Sequence, residues 1–111
     1  MLMSDFPIDY REYIGFTPEK MYKSTIFQGD HLMLGLNCLE NGQEHHLHTH
    51  AEQDKFYFVL EGEGEFTVED HTFSAGQGKL ICAAAGVPHA VRNAGKERLV
   101  ILMGMAPGPN K

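Results

Sequence analysis

The chain has no basic block: nine Lys and Arg stand against fifteen Asp and Glu, a formal charge of −6 over 111 residues. Nucleic acids and anionic membranes are held through clustered cations, so neither is an expected partner. No apolar stretch approaches the roughly 20 residues needed to cross a bilayer, and residues 1–5 show no basic segment followed by an apolar core, so no secretory signal is expected. Cysteine is sparse. Cys38 and Cys82 are far apart, form no CxxC and sit inside apolar runs. They read as reduced core thiols of a cytoplasmic protein, not as a disulfide or a nucleophile. No linker, repeat or low-complexity tract divides the chain, and no segment carries an amphipathic helical period. A chain of this length forms one domain.

What is present is a series of short apolar runs separated by turn residues. Strands are expected at 24–28, 31–39, 44–50, 55–60, 65–68, 79–83 and 99–103, with Gly29-Asp30, Asn41-Gly42, Gly62-Glu63-Gly64, Glu69-Asp70 and Gly86-Val87-Pro88 as punctuation. Many short strands without helices make an all-β antiparallel sandwich or barrel the expected class. Residues 1–20, broken by Pro7 and Pro18, read as an irregular arm with at most one short strand. Residues 21–105 form the barrel and 106–111 a tail. Phe56-Tyr57-Phe58-Val59-Leu60 is apolar on both faces. One face lines the interior, and the other needs cover from the arm, a second sheet or a second subunit. Cover by a subunit makes the expected protein a homodimer.

The run His45-His46-Leu47-His48-Thr49-His50 places four histidines in six residues. In an extended strand alternate residues share a face, so His46, His48 and His50 are expected on one side and His45, Leu47 and Thr49 on the other. Neutral imidazole is the commonest protein metal ligand, and two on one strand face can grip one ion. A solvated histidine face is the plainer alternative.

Two spaced patterns extend from that run. Gly42 is followed after five residues by His48-Thr49-His50 and then by a strand ending in Gly62. Gly78 is followed after five residues by Ala84-Ala85-Gly86, after two more by His89, and after three more by Asn93. Together they resemble the two motifs of the cupin superfamily, over residues 42–93, as a small single-domain member. The resemblance implies a cupin-type antiparallel β-barrel, also described as a double-stranded β-helix or jelly-roll-like fold. It further implies that His48, His50 and His89 converge on one divalent transition metal (Fe, Mn, Ni or Zn) with open positions. Occupancy of such a site is expected to fall below about pH 6, where imidazole protonates.

The departures carry information too. The family's usual acidic ligand falls on Lys55, whose ammonium cannot coordinate a cation and repels one. Gln53 is a candidate replacement on strand parity. Asp54 has suitable spacing but points to the opposite face. Ala84 stands where the family has Pro, which softens the strand end. Tyr57 and Val59 are expected inward with Lys55, Tyr57 as a core residue or a substrate-orienting one, and Arg92 and Met103 are further pocket-lining candidates. His46 reads as a pocket or rim residue. The function expected from the resemblance is a metal-dependent enzyme, of dioxygenase or isomerase type (decarboxylases are a further precedent), acting on a small polar or aromatic molecule. The alternative is a non-catalytic small-ligand barrel, in which inward Lys55 binds a carboxylate or sugar acid. A storage or purely structural barrel is the third reading.

Overall fold

The computed structural model describes residues 6–108. Nine antiparallel strands form two sheets: β1 (Tyr22–Gln28), β2 (Met33–Leu39), β3 (Glu44–His48), β4 (Asp54–Glu61), β5 (Glu63–Val68), β6 (His71–Gly76), β7 (Leu80–Ala83), β8 (His89–Arg92) and β9 (Leu99–Ala106). One sheet has the order β1-β2-β9-β4-β7 and the other β3-β8-β5-β6. They face each other across a shared core and do not close into a single continuous barrel.

Period-two alternation builds that core. Leu99, Ile101, Met103 and Met105 of β9 point inward with Tyr57 and Val59 of β4, and meet Phe66, Ala75 and Val91 from the other sheet. Val100 and Leu102 take the outer face. There Tyr10, Tyr13, Ile14 and Phe16 of the arm pack over them with Leu60, Leu36 and Cys38. The arm thus covers one end of the outward apolar face of β4. It contains a single 3₁₀ turn, Tyr10–Tyr13, capped by Asp9 and closed at Ile14, and among the described residues no strand precedes β1. Phe56 covers the other end, lying across β9 where a Cβ on Gly104 would stand 2.1 Å from its ring. Only glycine permits that approach.

Two strands are absent from the sequence expectation. The edge strand β6 is exposed along most of its length, so its alternation is faint. The strand β8 is four residues long and follows Pro88, so it reads as part of a turn. Gly62-Glu63-Gly64 is likewise a bend at Gly62 leading directly into β5, not a separate loop. Cys38 is buried as expected, but Cys82 is an exposed thiol on the edge strand β7 and is not a core residue.

Candidate functional site

Strand β8 lies beside β3 in antiparallel register, with Glu44 opposite Arg92, His45 opposite Val91 and His48 opposite His89. Both ends of this pairing are fastened by the spaced patterns. Gly42 N–H donates to Asn93 C=O (2.7 Å), and Asn93 N–H donates to Gln43 C=O (2.9 Å). At the far end Gly86 N–H donates to His50 C=O (2.9 Å). Gly86 adopts φ +84°, a region that a Cβ disfavours, and this turn delivers His89 to the inner face. The Asn93 amide is buried and donates to Leu39 C=O and Glu97 C=O, so its role is to hold the strand ends.

The register contains an irregularity: three steps on β3, from His45 to His48, match two steps on β8. This is a β-bulge, and the extra residue reverses side-chain parity along β3. His45 and His48 therefore both face the interior, their rings 4.1 Å apart. His46 points to solvent, with its ring nitrogen 3.7 Å from Glu44. The expectation that His46 shares a face with His48 while His45 lies opposite is corrected on this point.

His48, His50 and His89 come together, each offering one ring nitrogen, and these atoms lie within 4.8 Å of one another. His48 Nδ1 is 2.7 Å from His46 C=O, and His89 Nδ1 is 2.9 Å from Val87 C=O. A carbonyl cannot donate, so in both rings Nδ1 carries the proton and Nε2 holds the lone pair. Both Nε2 atoms are buried without a partner among the described residues. Burial is the main cause that lowers the pKa of all three, His89 to about 4, so the imidazoles stay neutral. Neutral rings, fixed tautomers and free buried lone pairs form the donor set a transition metal requires, with backbone carbonyls orienting the ligands.

A pocket of about 320 Å³ adjoins the histidines, between Lys23, Ser24 and Thr25 of β1, residues of β2 including Met33 and Asn37, and Lys55, Met103 and Met105. Lys55, Tyr57 and Val59 are all inward as expected. Lys55 is only 3% exposed. Its Nζ sits 5.0 Å above the Tyr57 ring, it has no carboxylate partner among the described residues, and burial followed by repulsion from Lys23 lowers its pKa to about 8. Met103 lines the pocket. Tyr57 packs between Phe66 and His89 as a core residue, with ring centroids 5.4 and 6.0 Å away, and its hydroxyl is buried without a partner among the described residues. Arg92 lies outside the pocket, exposed and 3.7 Å from Glu65. Gln53 also lies outside the lining, where its amide donates to Pro107 C=O (3.1 Å). Asp54 points outward, as its parity requires, and accepts from Ala85 N–H (2.8 Å). The residues that sequence spacing did not single out are His45, Asn37 and Lys23. Their signal is pairing: Lys23 is the cross-strand neighbour of Asn37, and neither has a motif around it.

A cupin domain model matches residues 35–105, and the chain belongs to the cupin family. The protein TT1209 from Thermus thermophilus is similar over 93% of this chain and 98% of its own, with 34% identity and a TM-score of 0.89. A protein with a double-stranded β-helix domain from Klebsiella pneumoniae is similar over 96% of this chain and 93% of its own, with a TM-score of 0.88. At 20% identity it bears on the fold alone. The uncharacterized protein MJ1618 of Methanocaldococcus jannaschii is 30% identical over 77 residues, 69% of this chain. That match spans 62% of the relative's length. No helix among the described residues is long and apolar enough to cross a membrane.

Proposed function

We propose that the protein is a metal-dependent cupin enzyme, of dioxygenase or isomerase type, acting on a small polar or aromatic molecule in the pocket beside His48, His50 and His89. The observation that carries this reading is the pair of buried, unpartnered Nε2 atoms on His48 and His89, with His50 beside them. A divalent transition metal held by the three imidazoles supplies Lewis acidity or dioxygen chemistry, depending on its identity. The chain's own contribution is to hold the tautomers through the His46 and Val87 carbonyls, and to keep the rings neutral by burial. The pocket, at the small end of ligand-site volumes, restricts the substrate to a compact molecule.

A second reading, a non-catalytic binding or sensing barrel, is favoured by one feature. Lys55 occupies the position of the family's acidic ligand and is buried with no carboxylate beside it. Metal analysis of protein purified without chelators or added metal, followed by substrate screening under air, separates the two. One equivalent of metal with oxygen uptake or isomer formation supports the enzyme. Metal-free protein that is stabilised by a small ligand supports the binding barrel.

We also propose a homodimer. The arm covers Leu60 and Leu102, but Leu80 at the sheet edge is 60% exposed. A second concavity of about 380 Å³ lies on the outer face between Leu32, Phe56, Cys82 and Ala106. Its lining is mainly apolar and includes no histidine.

A further inference from the structure

The pocket carries an imbalance that the metal reading does not use. The chain holds fifteen carboxylates and is net negative, yet no Asp or Glu lines the pocket beside the histidines, while Lys23 and Lys55 do. Lys55 is 3% exposed and makes no hydrogen bond or ion pair among the described residues. A buried ammonium with no counter-charge is among the costliest groups a fold can carry. Asn37 is 1% exposed, and neither its Nδ2 nor its Oδ1 has a partner among the described residues, although buried amides are nearly always satisfied. Both side chains stand on the inner face of the same sheet, Lys55 opposite Met105 of β9 and Asn37 opposite Ile101. Lys23, directly across from Asn37 on the edge strand β1, stands on the same face.

We infer that this pocket takes a small organic carboxylate, its anionic end held by Lys55 and Asn37 with Lys23 guiding it in, and its apolar body laid on Met33, Met103 and Met105. The inference rests on reading the pocket as a small-molecule site and names the class of its ligand. An ammonium and an amide N–H are both donors, so they call for an acceptor, and the charge calls for an anion. The three thioether side chains form an apolar wall that adapts to the shape of a hydrocarbon body. Inorganic phosphate would leave that wall facing water. It would also find neither an arginine fork nor a backbone nest among the lining residues.

The test is calorimetric titration of benzoate and hexanoate against their neutral isosteres benzamide and hexanamide, using protein stripped of metal so that no ion can hold the carboxylate. The acids are expected to bind at least tenfold more tightly than the amides. Lys55→Met, which keeps the side chain's length and burial, is expected to erase that preference without loss of metal content, since it removes a charge that repels the ion. Lys23→Met is expected to weaken the acids severalfold. Acid-selective binding that depends on Lys55 supports the inference even if the protein never loads metal, in which case the enzymatic reading fails separately. Protein that loads one metal ion but binds acids and amides alike overturns the inference and leaves the metal reading standing. Retention of acid selectivity in a folded Lys55→Met variant also overturns it.

Discussion

The rings of His45 and His48 lie 4.1 Å apart on the inner face of β3, although the two residues are three positions apart in the chain. Strict alternation places such a pair on opposite faces. The bulge opposite Val91 and His89 removes that alternation, so His45 enters the site and His46 leaves it. His45, His46 and His48 thereby acquire distinct expected phenotypes.

His48→Ala and His89→Ala are each expected to abolish stoichiometric metal binding, because two remaining imidazoles hold a divalent ion weakly. His46→Ala is expected to retain full metal, as are His31→Ala and His71→Ala. His45→Ala keeps the three converging nitrogens, so stoichiometry should survive with altered affinity through the lost contact with His48. Metal content after gel filtration, by elemental analysis, reads all six. Full metal in His89→Ala with loss in His46→Ala would move the ion to the histidine strand alone and overturn the pocket-centred site.

Metal-free protein should lose stability as the pH falls from about 6.5 towards 4. His45 and His89 have pKa values lowered by burial to about 3 and about 4, so in this window the unfolded chain takes up protons that the folded chain refuses. Stability is complete above pH 6.5. Each group should remove at most about 2 kcal/mol by pH 5, at 1.36 kcal/mol per unit, and part-exposed His45 less because solvent screens its charge. Urea titrations at pH 7.5 and 5 measure the slope, and His45→Asn should flatten it. The same lowered values push proton-driven metal release below the pH 6 expected for free imidazole.

Lys55 is expected to lower the stability of the empty protein. Its pKa of about 8, against 10.5 for an exposed lysine, means that keeping it charged in the fold costs about 3 kcal/mol at neutral pH. That cost is present below pH 8 and is relieved as the pH rises to 10.5. Lys55→Met should therefore raise stability by a few kcal/mol at pH 7 and by little at pH 10.5. Lys55→Glu should raise metal affinity at least tenfold by placing a carboxylate beside the three imidazoles. Competition against one chelator measures it, and an unchanged affinity would show that the position does not reach the ion.

The proposed homodimer should appear in sedimentation at micromolar concentration as a species of twice the 12.4 kDa chain mass. Leu80→Glu, on the exposed edge of the five-stranded sheet, should shift it towards monomer without unfolding it, since Leu80 contributes little to either core. A wild-type protein that sediments only as monomer would mean that the arm and Phe56 suffice as cover for the outer face.

Local spacing by itself determined the strand-rich class, the cupin motifs and the three histidines that converge. Turns at Gly42 and Gly86 and alternation along β4 and β9 are short-range properties, and they leave marks a few residues apart. The inward set Lys55, Tyr57 and Val59 was legible for that reason. Only the tertiary structure decided which way His45 and His46 point, because a bulge exists only relative to the partner strand, and β8 joins β3 from more than forty residues away. It also decided that Asn37 and Lys23 enter the pocket and that Arg92 does not, since β1 and β2 meet the histidine strand across two separate sheets. The burial of an unpaired Lys55 belongs to the same class. A strand pattern assigns it a face, but its want of a counter-charge depends on every element around the pocket.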